Sequence, residues 1–114
     1  MGIFIDTNIF IALRNEDDLN HKRAKEIMKK ILSGDFGIAY TSDYVFDEAV
    51  TVALIRTKNY FFAEDIGNYI LSSKIIKMIY VDADIFITAW NLFKRLSNKK
   101  MSFTDCTNLA IVQR

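Results

Sequence analysis

Three acidic residues lie in segments of the sequence where a carboxylate is unexpected. Asp6 interrupts the apolar run IFIDTNIFIAL, Glu48 lies within YVFDEAVTVAL, and Asp105 comes three residues after Ser102 in MSFTD. An unpaired carboxylate in apolar surroundings costs free energy, so each of these acids needs a compensating partner. Mg2+ and Mn2+ prefer carboxylate and water oxygens, and three acids gathered without a cation would repel one another. The acids therefore predict a divalent-cation site, which can activate water and stabilise charge that develops on a phosphate.

Each acid also has a purely structural interpretation. Asp6 follows an apolar run and precedes a helical one, so it can serve as a helix N-cap. Glu48 can form a buried salt bridge, whereas its neighbour Asp47 is expected to be solvated. Ser102 and Asp105 match the pattern S-x-x-D of a capping box. Metal binding stays compatible with capping, because one carboxylate oxygen can accept a backbone N–H while the other faces a cation.

The elements that would position these acids alternate between strands and helices. Short apolar runs predict strands at 2–5, 36–40 and 74–81, and apolar residues at helical spacing predict six helices between and after them. The proposed helix caps are Asn20, Ser42, Asp82 and Ser102, and Gly34 is expected to end the second helix. The alternation predicts an α/β fold with helices on both faces of a small parallel sheet. Ligands bind beyond the carboxyl ends of such strands, where Asp6 and the helix with Glu48 are expected to meet.

Composition narrows the classes of protein further. The chain of 114 residues is 51% hydrophobic and fits one domain with a real core. It has no uninterrupted apolar segment of the ~20 residues that span a bilayer, so we expect no membrane attachment. One cysteine, Cys106, excludes an internal disulfide and suits a reducing, cytoplasmic compartment. A net charge of +1 means that any nucleic-acid contact must be local rather than a general basic coat.

Basic residues are candidates for such a local contact. The segment from Ile85 to Thr104 contains no acid but holds Lys94, Arg95, Lys99 and Lys100, just before Asp105. These side chains could steer RNA phosphates, although lysines at the end of a helix also suit its dipole as ordinary solvated residues. Arg14 and Arg56 are comparable candidates.

Other residues that can carry chemistry have plainer interpretations. His21 is expected at the surface, and Cys106 is expected to be a small packed side chain rather than a nucleophile. Trp90 and the many Phe and Tyr residues are interpreted as core or interface rather than as platforms for base stacking. The sequence has no His or Cys cluster for zinc and no glycine-rich phosphate loop.

Three motifs in this order resemble the PIN domain, and within it the VapC-type toxin ribonucleases. The matching segments are FIDTNIFIAL, TSDYVFDEAVTVAL and MSFTDCTNLAIVQR, and the resemblance covers essentially the whole chain. It implies a ribonuclease that cuts RNA with water activated by Mg2+ or Mn2+, held by Asp6, Glu48 and Asp105. Supporting polar residues implied by the resemblance are Thr7, Asn8 and Thr104. Relatives of this type are inhibited by a small antitoxin that lies across the active site, and they often form dimers.

One departure from the family concerns the C-terminal end. PIN domains usually continue past the SFTD helix into another parallel strand and a further acidic position, whereas residues 106–114 contain no Asp or Glu. We therefore expect a single PIN-like domain over 1–114 that lacks the usual C-terminal strand or strands. The first strand would then keep an open edge, and exposed edges recruit other chains. This predicts a homodimer or higher oligomer.

Two other functions remain open from the sequence. The domain could be an RNA-binding or assembly module of RNA processing with impaired catalysis, which the missing acid would favour. It could also be another Mg2+-dependent phosphohydrolase with Asp6 as the nucleophile. The motif DTN lacks the second Asp of the D-x-D phosphatases, so the phosphohydrolase ranks lower.

Overall fold

The computed structural model describes residues 2–113, in which three strands alternate with six helices. The elements are β1 Gly2–Phe4, α1 Thr7–Arg14, α2 His21–Leu32, β2 Ile38–Ser42, α3 Asp43–Thr57, α4 Tyr60–Ser72, β3 Ile76–Ile79, α5 Ala83–Arg95 and α6 Phe103–Val112, with a 3-10 turn at Ser97–Lys99. None of these helices within residues 2–113 is both long and apolar enough to cross a membrane.

The sheet is parallel throughout, in the order β1-β2-β3. Ile3 lies opposite Ala39 between β1 and β2, and Ala39 lies opposite Ile76 between β2 and β3. Helices flank this sheet, so the predicted three-layer α/β class is confirmed. Within the described residues β1 pairs with β2 alone, which leaves its other side as a sheet edge.

All three predicted strands have different boundaries in the structure. β1 ends at Phe4 rather than at residue 5, β2 extends to Ser42 rather than ending at residue 40, and β3 begins at Ile76 rather than at residue 74. β2 begins at Ile38 rather than at residue 36, because the amide of Gly37 closes a turn onto the carbonyl of Gly34 at 3.0 Å and Gly37 adopts a φ of 82°. β3 ends at Ile79 rather than at residue 81. The amide of Val81 donates to Asp43 Oδ1 at 2.9 Å and so ties the end of β3 to the start of α3 instead of extending the sheet.

Three of the four predicted caps are confirmed. Ser42 accepts from the amide of Val45, Asp82 accepts from the amide of Ile85, and Ser102 begins α6 with a complete capping box. Asn20 occupies the N-cap position of α2 as predicted, but its side chain accepts no capping hydrogen bond, so the predicted capping role was wrong. Gly34 follows α2 with a φ of 87°, the left-handed conformation expected after a helix.

The buried apolar side chains form two clusters. The larger one joins the helices α1 to α4 to the strands, with Ile5, Phe10, Val45 and Ile66 at 0–1% exposure. The smaller one lies between α5 and α6 around Ile85, Leu92 and Cys106. Side chains between α3 and α4 pack closely over Gly67, where an added Cβ would lie 3.3 Å from a methyl group of Val50. The two clusters hold α3 and α6, the helices that carry Glu48 and Asp105, against the carboxyl end of the sheet.

Candidate active site and metal centre

Asp6 lies at the point where β1 ends and α1 begins. Its backbone is extended, and its Oδ1 accepts the amide of Thr7 at 2.6 Å, so Asp6 is the N-cap of α1. The strand end beneath it is fixed by Thr41, whose buried hydroxyl donates to the carbonyl of Ile5 at 3.0 Å. The structural interpretation of Asp6 is therefore correct, and the same geometry places its carboxylate beyond the carboxyl end of the sheet.

A second donor reaches Asp6 from the far end of the chain. Asn108 Nδ2 lies 3.0 Å from Asp6 Oδ1, across 102 residues of sequence. Asn108 stands three residues after Asp105, so the two side chains lie on the same face of α6. The hydrogen bond therefore holds the face of α6 that carries Asp105 towards Asp6. Asn108 was not among the predicted site residues, and the signal for it in the sequence was an amide side chain in the mostly apolar CTNLAIV, one turn past an acid.

Two buried oxygen atoms at this junction have no partner within the described residues. They are Thr7 Oγ1 and Asn108 Oδ1, and Thr7 as a whole is 4% exposed. Buried hydroxyl and amide oxygens nearly always find a hydrogen-bond partner, so each orphan indicates a missing water or ion. Both residues also donate to Asp6 Oδ1, which leaves Asp6 Oδ2 without a hydrogen bond from residues 2–113.

Asp105 forms the predicted capping box. Its Oδ2 accepts the amide of Ser102 at 3.0 Å, and the hydroxyl of Ser102 accepts the amide of Asp105 at 3.0 Å. The remaining oxygen of Asp105 accepts no hydrogen bond from the described residues, and the side chain is half-buried. The cap thus fixes the carboxylate and leaves one oxygen for another partner.

Glu48 lies on α3 and is half-buried, whereas the neighbouring Asp47 is exposed as expected. The described residues give Glu48 neither an ion pair nor a hydrogen bond, so the alternative of a buried salt bridge is not what the structure shows. A half-buried carboxylate without a protein partner needs compensation from solvent or a cation.

The donors at this end of the sheet suit a hard cation. Each is an oxygen, from carboxylate, hydroxyl or amide, which is the set that Mg2+ and Mn2+ prefer over softer metals. Among residues 2–113 no three His, Cys, Asp or Glu side chains are grouped closely enough to hold a metal ion as they stand. The assignment of Asp6, Glu48 and Asp105 as ligands therefore stays a prediction, supported by the free carboxylate oxygens and the two orphaned atoms.

The remaining candidates occupy varied positions. Asn8 is exposed, and Thr104 is half-buried next to Asp105. Arg56, Lys99 and Lys100 are exposed and carry no ion pair within the described residues.

Arg14 has a structural partner that sequence analysis did not anticipate. Its guanidinium donates to both carboxylate oxygens of Asp65 at 2.9 Å and lies 5.0 Å from the ring centre of Tyr69. The hydrogen bonds from Arg14 hold the pKa of Asp65 below its usual range. Arg14 is therefore a weaker candidate for RNA contact than its position in the sequence indicated.

His21 and Cys106 are both structural. The ring Nδ1 of His21 lies 2.9 Å from the carbonyl oxygen of Ala12, and the residue is half-buried, so it is less exposed than the surface position expected from the sequence. Cys106 is fully buried in the smaller cluster, as expected, and burial raises the pKa of its thiol.

The parallel sheet, the acid at the end of β1 and the capped acid on α6 define a known class of protein. The sequence-family model of the PIN domain matches residues 3–114, and the chain therefore belongs to the PIN-domain family.

Comparison of the chain with individual proteins is consistent with this family. The chain is 28% identical over 112 residues to the 23S rRNA-specific endonuclease VapC20 of Mycobacterium tuberculosis, in the strains CDC 1551 and H37Rv, and the match covers 98% of this chain and 81% of that protein. The crystal structure of M. tuberculosis VapC20, described as a sarcin–ricin loop cleaving toxin, superposes with a TM-score of 0.84 at 27% identity. That match covers 96% of this chain and 80% of the solved one.

Proposed function

We propose that this protein is a metal-dependent endoribonuclease, and that it is the toxin of a toxin–antitoxin pair. The observation that carries the proposal is the link between Asn108 and Asp6, which holds the acid-bearing face of α6 at the carboxyl end of β1. Membership of the PIN family and the likeness to a ribosomal RNA endonuclease support the same activity.

Asp6, Glu48 and Asp105 would hold Mg2+ or Mn2+ through the carboxylate oxygens that the protein leaves unbonded. A cation bound there lowers the pKa of water and stabilises the charge that develops on a phosphodiester. Thr7 and Asn108 orient Asp6 through Oδ1, and Ser102 orients Asp105 through Oδ2. Asn8 and Thr104 flank these acids as supporting polar groups.

The partners follow from the same assignment. We propose that the substrate is RNA and that a small antitoxin protein covers the acidic site in the inhibited state. The protein would work in the cytoplasm, where its single cysteine, buried in the structure, stays reduced. We further propose that it forms a homodimer or higher oligomer.

A cleavage assay tests the proposal. RNA that includes a 23S rRNA fragment with the sarcin–ricin loop is incubated with the protein and Mn2+ or Mg2+, with EDTA as a control. We expect defined cuts that EDTA abolishes and that Glu48→Gln reduces by at least a hundredfold. Asp47→Asn is the matched control, because this exposed acid adjoins Glu48 without facing the site, and it should keep full activity. Binding of RNA without cleavage under either cation would instead favour a binding module.

A further inference from the structure

Five aromatic rings form a continuous, partly exposed surface beside the proposed active site. We call it the aromatic platform, and its members are Tyr44, Phe86, Trp90, Phe93 and Phe103. The ring of Phe103 is central, with ring centres 5.3–6.5 Å from those of the other four. Trp90 and Phe93 stack at an interplanar angle of 10° with ring centres 5.8 Å apart. Phe93 and Phe103 also pack against the smaller hydrophobic cluster, which anchors the rings to the core.

Trp90 and Phe86 are too exposed to be core residues. Trp90 is 46% exposed and Phe86 44%, and together with Phe93 they occupy one face of α5. The five rings line a shallow, open depression. The sequence indicated that Trp90 belongs either to the core or to an interface, and its exposure now excludes the core. The binding partner of this surface must then be inferred from the chemistry of its residues.

The platform carries positive charge at its rim. Lys94 Nζ lies 5.8 Å from the ring centre of Trp90. Arg95, Lys99 and Lys100 follow in an exposed segment, no acid occurs between Ile85 and Thr104, and none of these basic side chains forms an ion pair within residues 2–113. Exposed rings beside unpaired basic residues are typical of sites for single-stranded nucleic acid.

The platform also adjoins the proposed acids. Tyr44 lies one helical turn before Glu48 on α3, and Phe103 lies two residues before Asp105 on α6. Residues one turn apart on a helix face have Cβ atoms about 5–6 Å apart, so the side chains of Tyr44 and Glu48 are neighbours on α3. A nucleotide stacked on the platform would therefore be close to a phosphate held at the acids.

We propose that the aromatic platform binds single-stranded RNA by stacking a base next to the cleavage site, with Trp90 as the main stacking residue and Lys94 and Lys99 near the phosphates. This inference rests on the proposed ribonuclease function and adds the surface that receives the substrate. The other occupant to consider is a second copy of the chain, which the experiment below distinguishes.

Trp90 is the only tryptophan of the chain, so its fluorescence reports directly on the platform. Short single-stranded RNA of mixed sequence is titrated into the protein in EDTA, where no cleavage occurs. We expect saturable quenching that weakens steeply with added salt, because phosphate contacts release counterions. Fluorescence that is unchanged at saturating RNA would overturn the proposal.

Variants measure how much the ring contributes. By anisotropy of labelled RNA, Trp90→Ala should weaken binding by roughly tenfold to a hundredfold, the range that stacking one base on a ring supplies. Trp90→Phe should retain most of the affinity and shows that the fold is intact if Trp90→Ala is unstable. Phe61→Ala is the matched control, since this ring on α4 is 85% exposed and outside the platform, and its affinity should not change.

The outcomes separate this inference from the proposed function. Quenching and a loss of affinity in Trp90→Ala, without any cleavage by the parent, would support the platform and reject the nuclease. Cleavage by the parent with an unchanged affinity in Trp90→Ala would reject the platform alone. If Trp90→Ala instead dissociates a dimer and leaves the RNA affinity of each protomer unchanged, the surface joins two copies and the proposal is overturned.

Discussion

Asn108 Nδ2 donates to Asp6 Oδ1 at 3.0 Å and joins the last helix to the end of the first strand. The same oxygen accepts the amide of Thr7, so two donors fix one side of the carboxylate and leave the other free. Outer partners of this kind orient metal ligands and set their affinity. Asn108 is therefore a positioning residue that acts through Asp6.

Replacing Asn108 by Ala should lower both stability and metal affinity. The lost hydrogen bond to a charged group costs about 1–3 kcal/mol of unfolding free energy. Outer-partner substitutions typically weaken metal binding by ~10–100-fold, so we expect a weaker Mn2+ dissociation constant in that range. Titration with Mn2+ measures it, with Asn68→Ala on the exposed face of α4 as the control. Equal Mn2+ affinity in Asn108→Ala and the parent would remove the positioning role.

The capping box of α6 should contribute both to the fold and to the placement of Asp105. Ser102→Ala removes the oxygen that accepts the amide of Asp105, and loss of such a cap costs about 0.5–2 kcal/mol. Ser102→Thr keeps a hydroxyl and should cost only a fraction of this. Urea denaturation of the three proteins gives the comparison. A Ser102→Ala variant as stable as Ser102→Thr would show that the cap contributes nothing to the free energy of unfolding.

The pair of Arg14 and Asp65 predicts a specific pH dependence. The pKa of Asp65 in the folded protein lies below its ordinary value of 3.8, because Arg14 stabilises the carboxylate. A carboxyl group whose pKa is lower in the folded than in the unfolded protein stabilises the fold at pH values above its unfolded-state pKa. This contribution is lost as the pH falls through the folded-state pKa. Since both side chains are more than a third exposed, we expect Asp65→Asn to cost less than about 1 kcal/mol at neutral pH.

Chemical denaturation of the parent and of Asp65→Asn between pH 7 and about pH 3 measures this difference. The stability difference should be constant at neutral pH and shrink as the pH falls below 3.8. A difference that grows towards acid would have the wrong sign.

The open edge of β1 predicts association. Ile5 donates to the carbonyl of Tyr40 at 2.8 Å, so by strand alternation the amide of Phe4 points to the unpaired side. An apolar groove of about 480 Å³ lies over one face of the sheet, lined in part by Phe4, Tyr40 and Ile111. Exposed strand edges next to apolar surface recruit another chain.

Light scattering over a wide concentration range should show a dimer or larger species, with exchange of the Phe4 amide slowing as it forms. The amide of Ile5, already bonded within the sheet, is the internal reference. A monomer at high micromolar concentration would contradict this prediction.

Local sequence signals predicted most of the elements. Ser42, Asp82 and Ser102 act on amides three residues away, so their roles follow from short-range chemistry. The start of β2 was misplaced because a turn at Gly37 precedes the strand, and the end of β3 was misplaced because a long-range bond from Val81 to Asp43 ends the ladder early. Such boundaries depend on tertiary contacts that no local pattern contains.

The candidate site likewise contains residues that local sequence could identify and residues that depend on long-range contacts. Asp6, Glu48 and Asp105 could be selected from the sequence because an acid beside apolar residues is unusual. Asn108 could not be selected, because its partner lies 102 residues away. Trp90 was interpreted as core or interface, since aromatic residues at helical spacing usually form a core, and its exposure of 46% excludes only the core.

The central claim is that acids from three distant segments form one cation site, and a melting experiment with Mn2+ tests it most directly. A cation that binds only the folded protein at ten times its dissociation constant adds about 1.4 kcal/mol of stability, or roughly 4–6 °C for a domain of this size. We expect this rise in the parent and in Asp47→Asn, and its loss in Asp6→Asn, whose melting temperature without metal should be equal or higher through relieved repulsion. A parent unaffected by millimolar Mn2+, or an equal rise in Asp6→Asn, would contradict the account.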